Sequence, residues 1–480
     1  MGVIFNEAEA VWEWLMTHLI VINLLFSIII IFFQRRDPRS VWTWLFALNF
    51  IPVFGIIFYL LFGQDLKKSR MFKVKGISDR LNMPVKSQEE IIRSSDIPEE
   101  MMDPLIRDFR SLILYNLETS GAVLTTDNQV KIYTDGQAKF EGLRTALRRA
   151  SRFIHIQYYI IKNDEVFDSI VPILEDKVRE GVEVRILYDG MGGRFMPKRR
   201  WEELRRAGIL VGVFFPPILG WLNLRVNYRN HRKIVVIDGN VGFVGGFNIG
   251  REYISKDPGF GYWRDTHLRI TGEAVMSLQI RFALDWNYAT GENLFKNEAY
   301  FRTDLKKKTD VRRDKERPAW PDPELEGSQV GMQIIASGPD TREPHIRNNY
   351  LELFHKAKHH IYIQTPYFVP DDAIFSALKM AALSGVDVRL MIPCKPDHPF
   401  VYRATCSYAG ELLDYGAKVY IYTNGFLHSK GIMVDGRVCC YGTANMDIRS
   451  FELNFEVNAT IYDEAVTAEL EQAFMNDLPH

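Results

Sequence analysis

Cysteine is scarce in this chain: Cys394, Cys406, Cys439 and Cys440 are the only four in 480 residues. No CxxC pair occurs and two of the four are adjacent, so no disulfide framework is expected. There is no HExxH helix and no Cys/His cluster at zinc spacing, so neither a metal nor a cofactor is expected. Charge of one sign is lacking too: 59 Lys+Arg against 60 Asp+Glu leaves a net -1. That balance argues against nucleic acid as a partner, because its binders usually carry a basic stripe. The start has Glu7 and Glu9 but no Lys or Arg, unlike the n-region of a signal peptide.

Long apolar runs are present, and they come first. No charge interrupts 14–34 ("WLMTHLIVINLLFSIIIIFFQ") or 41–64 ("VWTWLFALNFIPVFGIIFYLLFGQ"). Each approaches the ~20 apolar residues that a spanning helix needs. Trp12, Trp14, Trp42 and Trp44 stand at the ends, where amphipathic rings favour the headgroup zone. The reading is a membrane hairpin over 1–65, its two helices transmembrane or re-entrant; two buried helices of a soluble domain are the alternative. Arg35, Arg36 and Arg39 compete for the cytoplasm with Lys67, Lys68, Arg70, Lys73 and Lys75. A re-entrant hairpin, broken at Pro52 and Gly55, satisfies both clusters, and the remaining chain is then expected on the cytoplasmic side.

Behind the hairpin, 66–119 reads as a linker with helical pieces. From 120 onward, short β-rich runs alternate with helical stretches, and they do so twice. "FIHIQYYI" (153–160) and "GVEVRILYD" (181–189) are echoed by "IYIQTPYF" (361–368) and "GVDVRLMIP" (385–393). Alternation of this kind predicts two duplicated α/β lobes, 120–300 and 329–480, with mainly parallel sheets. The charged, Pro-containing stretch between them, within 301–328, reads as a solvated connection that could also touch anionic lipid.

Each lobe carries one copy of a motif. "HRKIVVID" places His231, Lys233 and Asp238; "HSKGIMVD" places His428, Lys430 and Asp435. The register extends to Gly246 and Asn248 in the first copy and to Thr443 and Asn445 in the second. The spacing predicts a β-hairpin, strand–turn–strand, with His and Lys on one face. Lys ammonium and Asn amide groups donate to phosphate oxygens, and small Gly or Thr lets backbone approach a tetrahedral group. A neutral imidazole can attack phosphorus while a second, protonated one releases the departing alkoxide. One chemistry therefore uses both copies. Asp265 and Glu456, each downstream of its own lobe's His, are the candidates to orient the rings. Asp238 and Asp435 fit a structural role at the hairpin better than a chemical one. A single His on an apolar strand is more often a core residue; two copies with Gly/Thr and Asn in register are not so explained.

These residues resemble the paired HKD motifs of the phospholipase D superfamily, and within it the bacterial cardiolipin synthases. The resemblance extends to the apolar hairpin, "NYRNHRKIVVIDG", "GGFNIGREY", "WRDTHLRITG", "SGPD", "TPYFVPDD", "GFLHSK" and "GTANMDIRSFELNFEVN". It implies two α/β lobes with one site at their interface, in a multi-pass protein of the bacterial cell membrane. It also implies a metal-free phosphatidyl transfer between two phosphatidylglycerol molecules, giving cardiolipin and glycerol. The intermediate would be a covalent phosphatidyl-histidine, with His231 as nucleophile and His428 as acid and base by the family's usual order. A hydrolase sending water to the same intermediate, transfer to another alcohol, a nuclease and a lipid-binding scaffold are the alternatives. For substrate access, "FFPPILGWLNL" (214–224), Lys198, Arg199 and Arg200 are candidates for a lipid rim, and Tyr402, Arg403 and Tyr408 for a headgroup pocket.

Overall fold

The structure, a computed structural model, describes residues 13–14, 17–19, 21–33, 38–62, 88–89, 92, 103–216, 227–301, 329–341 and 343–480. The connection at 302–328 and the rim candidate from 217 onward lie outside them. The chain forms two compact units, Met1–Ser69 with Pro217–Tyr228, and Arg70–Pro216 with Arg229–His480.

In the first unit the expected second span is not one helix but two, Pro38–Phe50 and Pro52–Phe62. Pro52 has no N–H to continue the ladder and disfavours a helical residue before it, so the break falls at Ile51. With 13 and 11 residues, the pieces are about 20 and 16 Å long at ~1.5 Å per residue. Among the described residues no helix is long and apolar enough to cross a membrane. Ile30, Leu48 and Tyr59 pack together inside, whereas Trp42, Phe46, Phe50, Phe54 and Phe58 point outward and stay exposed.

In the second unit, two-residue strands aside, each lobe runs through seven strands in the same chain order. The first lobe has β1 (Thr125–Tyr133), β2 (Phe153–Tyr158), β3 (Glu183–Asp189), β4 (Leu210–Phe214), β5 (Ile234–Ile237), β6 (Val241–Gly245) and β7 (His267–Thr271). The second has β8 (Val330–Ser337), β9 (His360–Gln364), β10 (Asp387–Pro393), β11 (Lys418–Tyr422), β12 (Gly431–Val434), β13 (Val438–Gly442) and β14 (Asn454–Tyr462). Spatially the order is β1-β7-β6-β5-β2-β3-β4 in one lobe and β8-β14-β13-β12-β9-β10-β11 in the other. β1 and β8 pair antiparallel, Thr125 opposite Met332, so both halves form one continuous sheet.

That sheet is mixed, which corrects the expectation of mainly parallel strands. In the first lobe only β2–β3 and β3–β4 are parallel. The other four pairs are antiparallel, and the second lobe repeats the scheme. The reason is local. Parallel neighbours need a long crossover, and here a helix supplies it between β2, β3 and β4; the motif strands are joined by tight turns, which only antiparallel pairs allow. The central strands are buried on both faces, as in "IVVI" of β5, whereas the edge strands β4 and β11 are partly exposed. Some of the helices start at aspartate caps, such as Asp371 accepting from Ala373 N and Ile374 N.

The last part of the expected linker is structural. The helix Arg110–Ser120 buries Leu112, Ile113 and Leu117 among Ile335, Ile346 and Tyr350 of the second lobe.

Candidate active site

Each histidine is placed by a two-residue strand that crosses to the other lobe. Arg229–Asn230 pairs in parallel with Asn454–Phe455, and His231 N donates to Phe455 O at 2.9 Å. Phe426–Leu427 pairs in parallel with Trp263–Arg264, and His428 N donates to Arg264 O at 2.7 Å. The residue after Phe455 is Glu456, and the residue after Arg264 is Asp265. The ladders thus set each imidazole beside a carboxylate of the opposite lobe. His231 Nδ1 lies 3.0 Å from both Oε1 and Oε2 of Glu456. His428 Nδ1 lies 2.5 Å from Asp265 Oδ2. The two carboxylates are those expected from sequence, but their partners are exchanged: neither serves the His of its own lobe. Nδ1 being engaged in both rings, Nε2 is the nitrogen turned away from the carboxylate.

Buried arginines hold these crossings. Arg232 Nε donates to Glu456 O at 3.1 Å, and its Nη1 pairs with Asp285 at 2.6 Å. Arg264 Nη1 donates to Asp265 O at 2.7 Å, and its Nε pairs with Asp477 at 2.8 Å. Arg232 and Arg264 fall inside the quoted motif stretches, but nothing there marks either, or Asp285 and Asp477, as an ion-pair partner.

The lysines turn back on their own histidines. Lys233 Nζ donates to His231 O at 2.7 Å, and Lys430 Nζ to His428 O at 2.5 Å. Thr443 Oγ1 donates to Glu456 Oε2 at 2.5 Å. At the equivalent position in the other lobe, a Cβ on Gly246 would stand 1.9 Å from Asp265 Oδ1. Both small residues therefore serve the carboxylate. The two asparagines differ. Asn445 borders the cavity described below, and its Oδ1 is buried without a partner. Asn248 is used locally, accepting from Ile160 N and donating to the Tyr253 hydroxyl.

Asp238 and Asp435 stand apart from this cluster. Asp238 accepts from the N–H groups of Ser151, Arg152 and Phe153 and from Ser151 Oγ. Asp435 accepts from the N–H groups of Lys358, His359 and His360. Both sit at positive φ (56° and 55°), each followed by a glycine also at positive φ. Asn240 N donates to Ile237 O and Arg437 N to Val434 O, closing I′-type turns. The aspartates hold each hairpin to the start of the neighbouring strand, which is a structural role.

Burial governs the electrostatics. It pulls His231 down to about 4 against the pull of Glu456, with Lys233 adding to the fall. His428 is likewise drawn to about 4 by burial and by Lys430, with Asp265 opposing. Burial also lowers Lys233 well below its ordinary value and Lys430 to about 8. Burial pushes both carboxylates up, but Lys430 and His428 hold Asp265, and His231 and Lys233 hold Glu456, below the ordinary values. At neutral pH the free site thus holds two uncharged imidazoles on two carboxylates.

His231 opens onto a cavity of about 580 Å³. Tyr159, Arg229, Tyr367, His398, Asn445, Asp447 and Arg449 give it a polar side, and Val369, Phe400, Val401, Ala404, Ile448 and Leu453 an apolar one. Phe400 is 89% exposed, so the cavity reaches the surface. Tyr159 meets the His231 ring edge-on, with centroids 5.1 Å apart. Tyr159 and Tyr367 follow the carboxyl ends of β2 and β9, where α/β sheets usually place ligands; that signal was available in the repeat. The pocket candidates Tyr402, Arg403 and Tyr408 do not line it. Tyr402 donates to Cys394 O, and Tyr408 packs on Phe375. Arg199 pairs with Glu203, and Arg200 with Asp168 and Glu203.

Residues 143–260 and 350–478 match the family described as cardiolipin synthase, PLD-like domain. Residues 21–64 match the phospholipase D-nuclease N-terminal family. A cardiolipin synthase of Listeria innocua is 44% identical over 97% of this chain and 92% of its own length. One of Staphylococcus aureus is 48% identical over 95% of this chain and 89% of its own. Among solved structures, a phosphatidylserine synthase of Haemophilus influenzae superposes with a TM-score of 0.52 at 16% identity, covering 72% of this chain and 85% of that one.

Proposed function

Because this chain belongs to the phospholipase D-like cardiolipin synthases, we propose that His231 and His428 share one phosphatidyl transfer between two phosphatidylglycerol molecules. The chain is a phosphatidyltransferase that makes cardiolipin. In the proposed first step, His231 Nε2 attacks phosphorus of the donor lipid. The P–O bond to the terminal glycerol breaks, and His428 gives its proton to that oxygen. In the second step, the terminal hydroxyl of the acceptor lipid attacks the phosphatidyl-histidine. Its proton passes to His428, the P–N bond breaks, and cardiolipin leaves.

The observation that carries this reading is the crossed pairing of the two imidazoles with Glu456 and Asp265. A carboxylate at Nδ1 fixes the tautomer that leaves Nε2 as the nucleophile and stabilises positive charge as it develops on the ring. His231, the ring that borders the cavity, takes the nucleophile's part. A bound phosphodiester brings negative charge against both rings and raises the proton affinity of His428 toward the range of a general acid. Lys233, Lys430 and Asn445 are the proposed partners of the developing phosphorane charge.

The outward Trp42, Phe46, Phe50, Phe54 and Phe58 of the N-terminal unit support association with a membrane, where their exposure is favourable.

The test uses detergent-solubilised protein, headgroup-labelled phosphatidylglycerol and a chelator. Cardiolipin and glycerol are expected in equal amounts; phosphatidic acid as the main product would replace transfer with hydrolysis. Capture of lipid phosphate in an acid-labile, alkali-stable linkage on the peptide holding His428, and not His231, would reverse the two roles.

A further inference from the structure

Two arginines outside the histidine–lysine motifs line the cavity beside His231. Arg229, nearly buried, stands two residues before His231, and Arg449, exposed, lies in the helix Ile448–Glu452; both line the cavity. Tyr159 lies among Arg229, Arg449 and Arg194, while its ring touches His231. Asp189, whose charge acts on Arg229, accepts from Met191 N, Gly192 N and Asn230 N. Burial lowers Arg229 below its ordinary value; Asp189 opposes, and Arg449 and Arg194 add like-charge repulsion. Crowded guanidiniums of this kind are relieved by an anion, and arginine suits phosphate best. Next to them the wall is apolar, through Val401, Ile448 and Leu453, which suits the acyl end of an anionic lipid.

We propose that Arg229 and Arg449 form a second phosphodiester site, which holds the acceptor lipid while the histidine–lysine cluster holds the phosphorus under attack. This inference rests on the transfer reading above. The acceptor must approach a phosphatidyl-histidine that is itself anionic, so its own phosphate needs a separate counter-charge. With that phosphate on the arginines, its terminal hydroxyl is directed past Tyr159 toward His231. The step is the one already written: the hydroxyl oxygen bonds to phosphorus, the P–N bond to His231 breaks, and the proton goes to His428.

The experiment lets one intermediate partition among acceptors. Full-length protein in mixed micelles with fluorescent phosphatidylglycerol is supplied with soluble glycerophosphoglycerol and n-butanol together. Cardiolipin, the glycerophosphoglycerol adduct, phosphatidylbutanol and phosphatidic acid are measured in each reaction. For Arg449→Gln, the ratios of cardiolipin and of glycerophosphoglycerol adduct to phosphatidylbutanol should both fall about tenfold, the loss of one charged hydrogen bond. Arg449→Lys should recover part of that loss, and Arg229→Lys should shift both ratios the same way. If all products fall together, the arginines serve the donor and the inference is overturned. It is equally overturned by unchanged ratios, or by a loss confined to the lipid acceptor, which would make Arg449 a membrane contact. If the unsubstituted protein releases no glycerol and forms no adduct, the transfer reading itself fails.

Discussion

Gly246 has no room for another atom. A methyl group there would stand 1.9 Å from Asp265 Oδ1 and push the carboxylate off His428. Gly246→Ala should therefore lower kcat by about a hundredfold, the usual consequence of moving a reacting group by an ångström. Asp238 predicts the opposite kind of defect. Its carboxylate receives four hydrogen bonds from Ser151, Arg152 and Phe153. Asp238→Ala should cost about 3 kcal/mol of stability in urea unfolding, while the folded fraction keeps its turnover. The histidines set a pH dependence with a definite sign. Both sit at about 4 in the folded chain, against about 6.5 when unfolded. The unfolded chain thus binds those protons first, so stability falls as pH drops from about 6.5 to about 4, then levels for these groups. His231→Gln should flatten Tm against pH in that window; an unchanged slope would remove His231 as its source.

At the scale of elements, the crossing strands connect function to topology. If Glu456 serves His231, a double-mutant cycle of His231→Gln with Glu456→Gln should give a coupling of about 0.5–3 kcal/mol in unfolding, and His231→Gln with Asp265→Asn much less. Equal coupling in both cycles would contradict the exchanged pairing. The hairpins β5–β6 and β12–β13 were legible beforehand because an Asp-Gly turn between β-branched runs has one cheap solution. The exchange was not legible. His231 and Glu456 are 225 residues apart, and His428 and Asp265 are 163 apart; spacing along one lobe says nothing of which lobe a strand end will cross to. The parallel sheet was overread for a similar reason. Helix–strand alternation governs β2 to β4 but not the strands that carry the motifs. The broken helix at Pro52 was written in the sequence, whereas the arginine anchors, Arg232 and Arg264, carry no pattern that marks a buried ion pair.

For the whole molecule, the exposed aromatic face of the first unit makes a prediction of its own. Replacing Trp42, Phe46 and Phe50 by Ser removes three large outward side chains, each worth about 1.5–3 kcal/mol when fully buried. Binding to phosphatidylglycerol vesicles by flotation should fall by at least tenfold, and retained flotation would place the attachment elsewhere. The catalytic unit raises a different matter, the traffic of a product with four acyl tails. Its two halves are joined in one sheet through β1 and β8, whose register shifts between Thr125 and Asn128, and the histidines are laced to opposite lobes by main-chain bonds. Parting the halves to discharge product would tear both ladders and separate each imidazole from its carboxylate. A clamshell is therefore the wrong picture. The lobes are expected to stay joined through the catalytic cycle, and the cavity that His231 borders reaches the surface at Phe400.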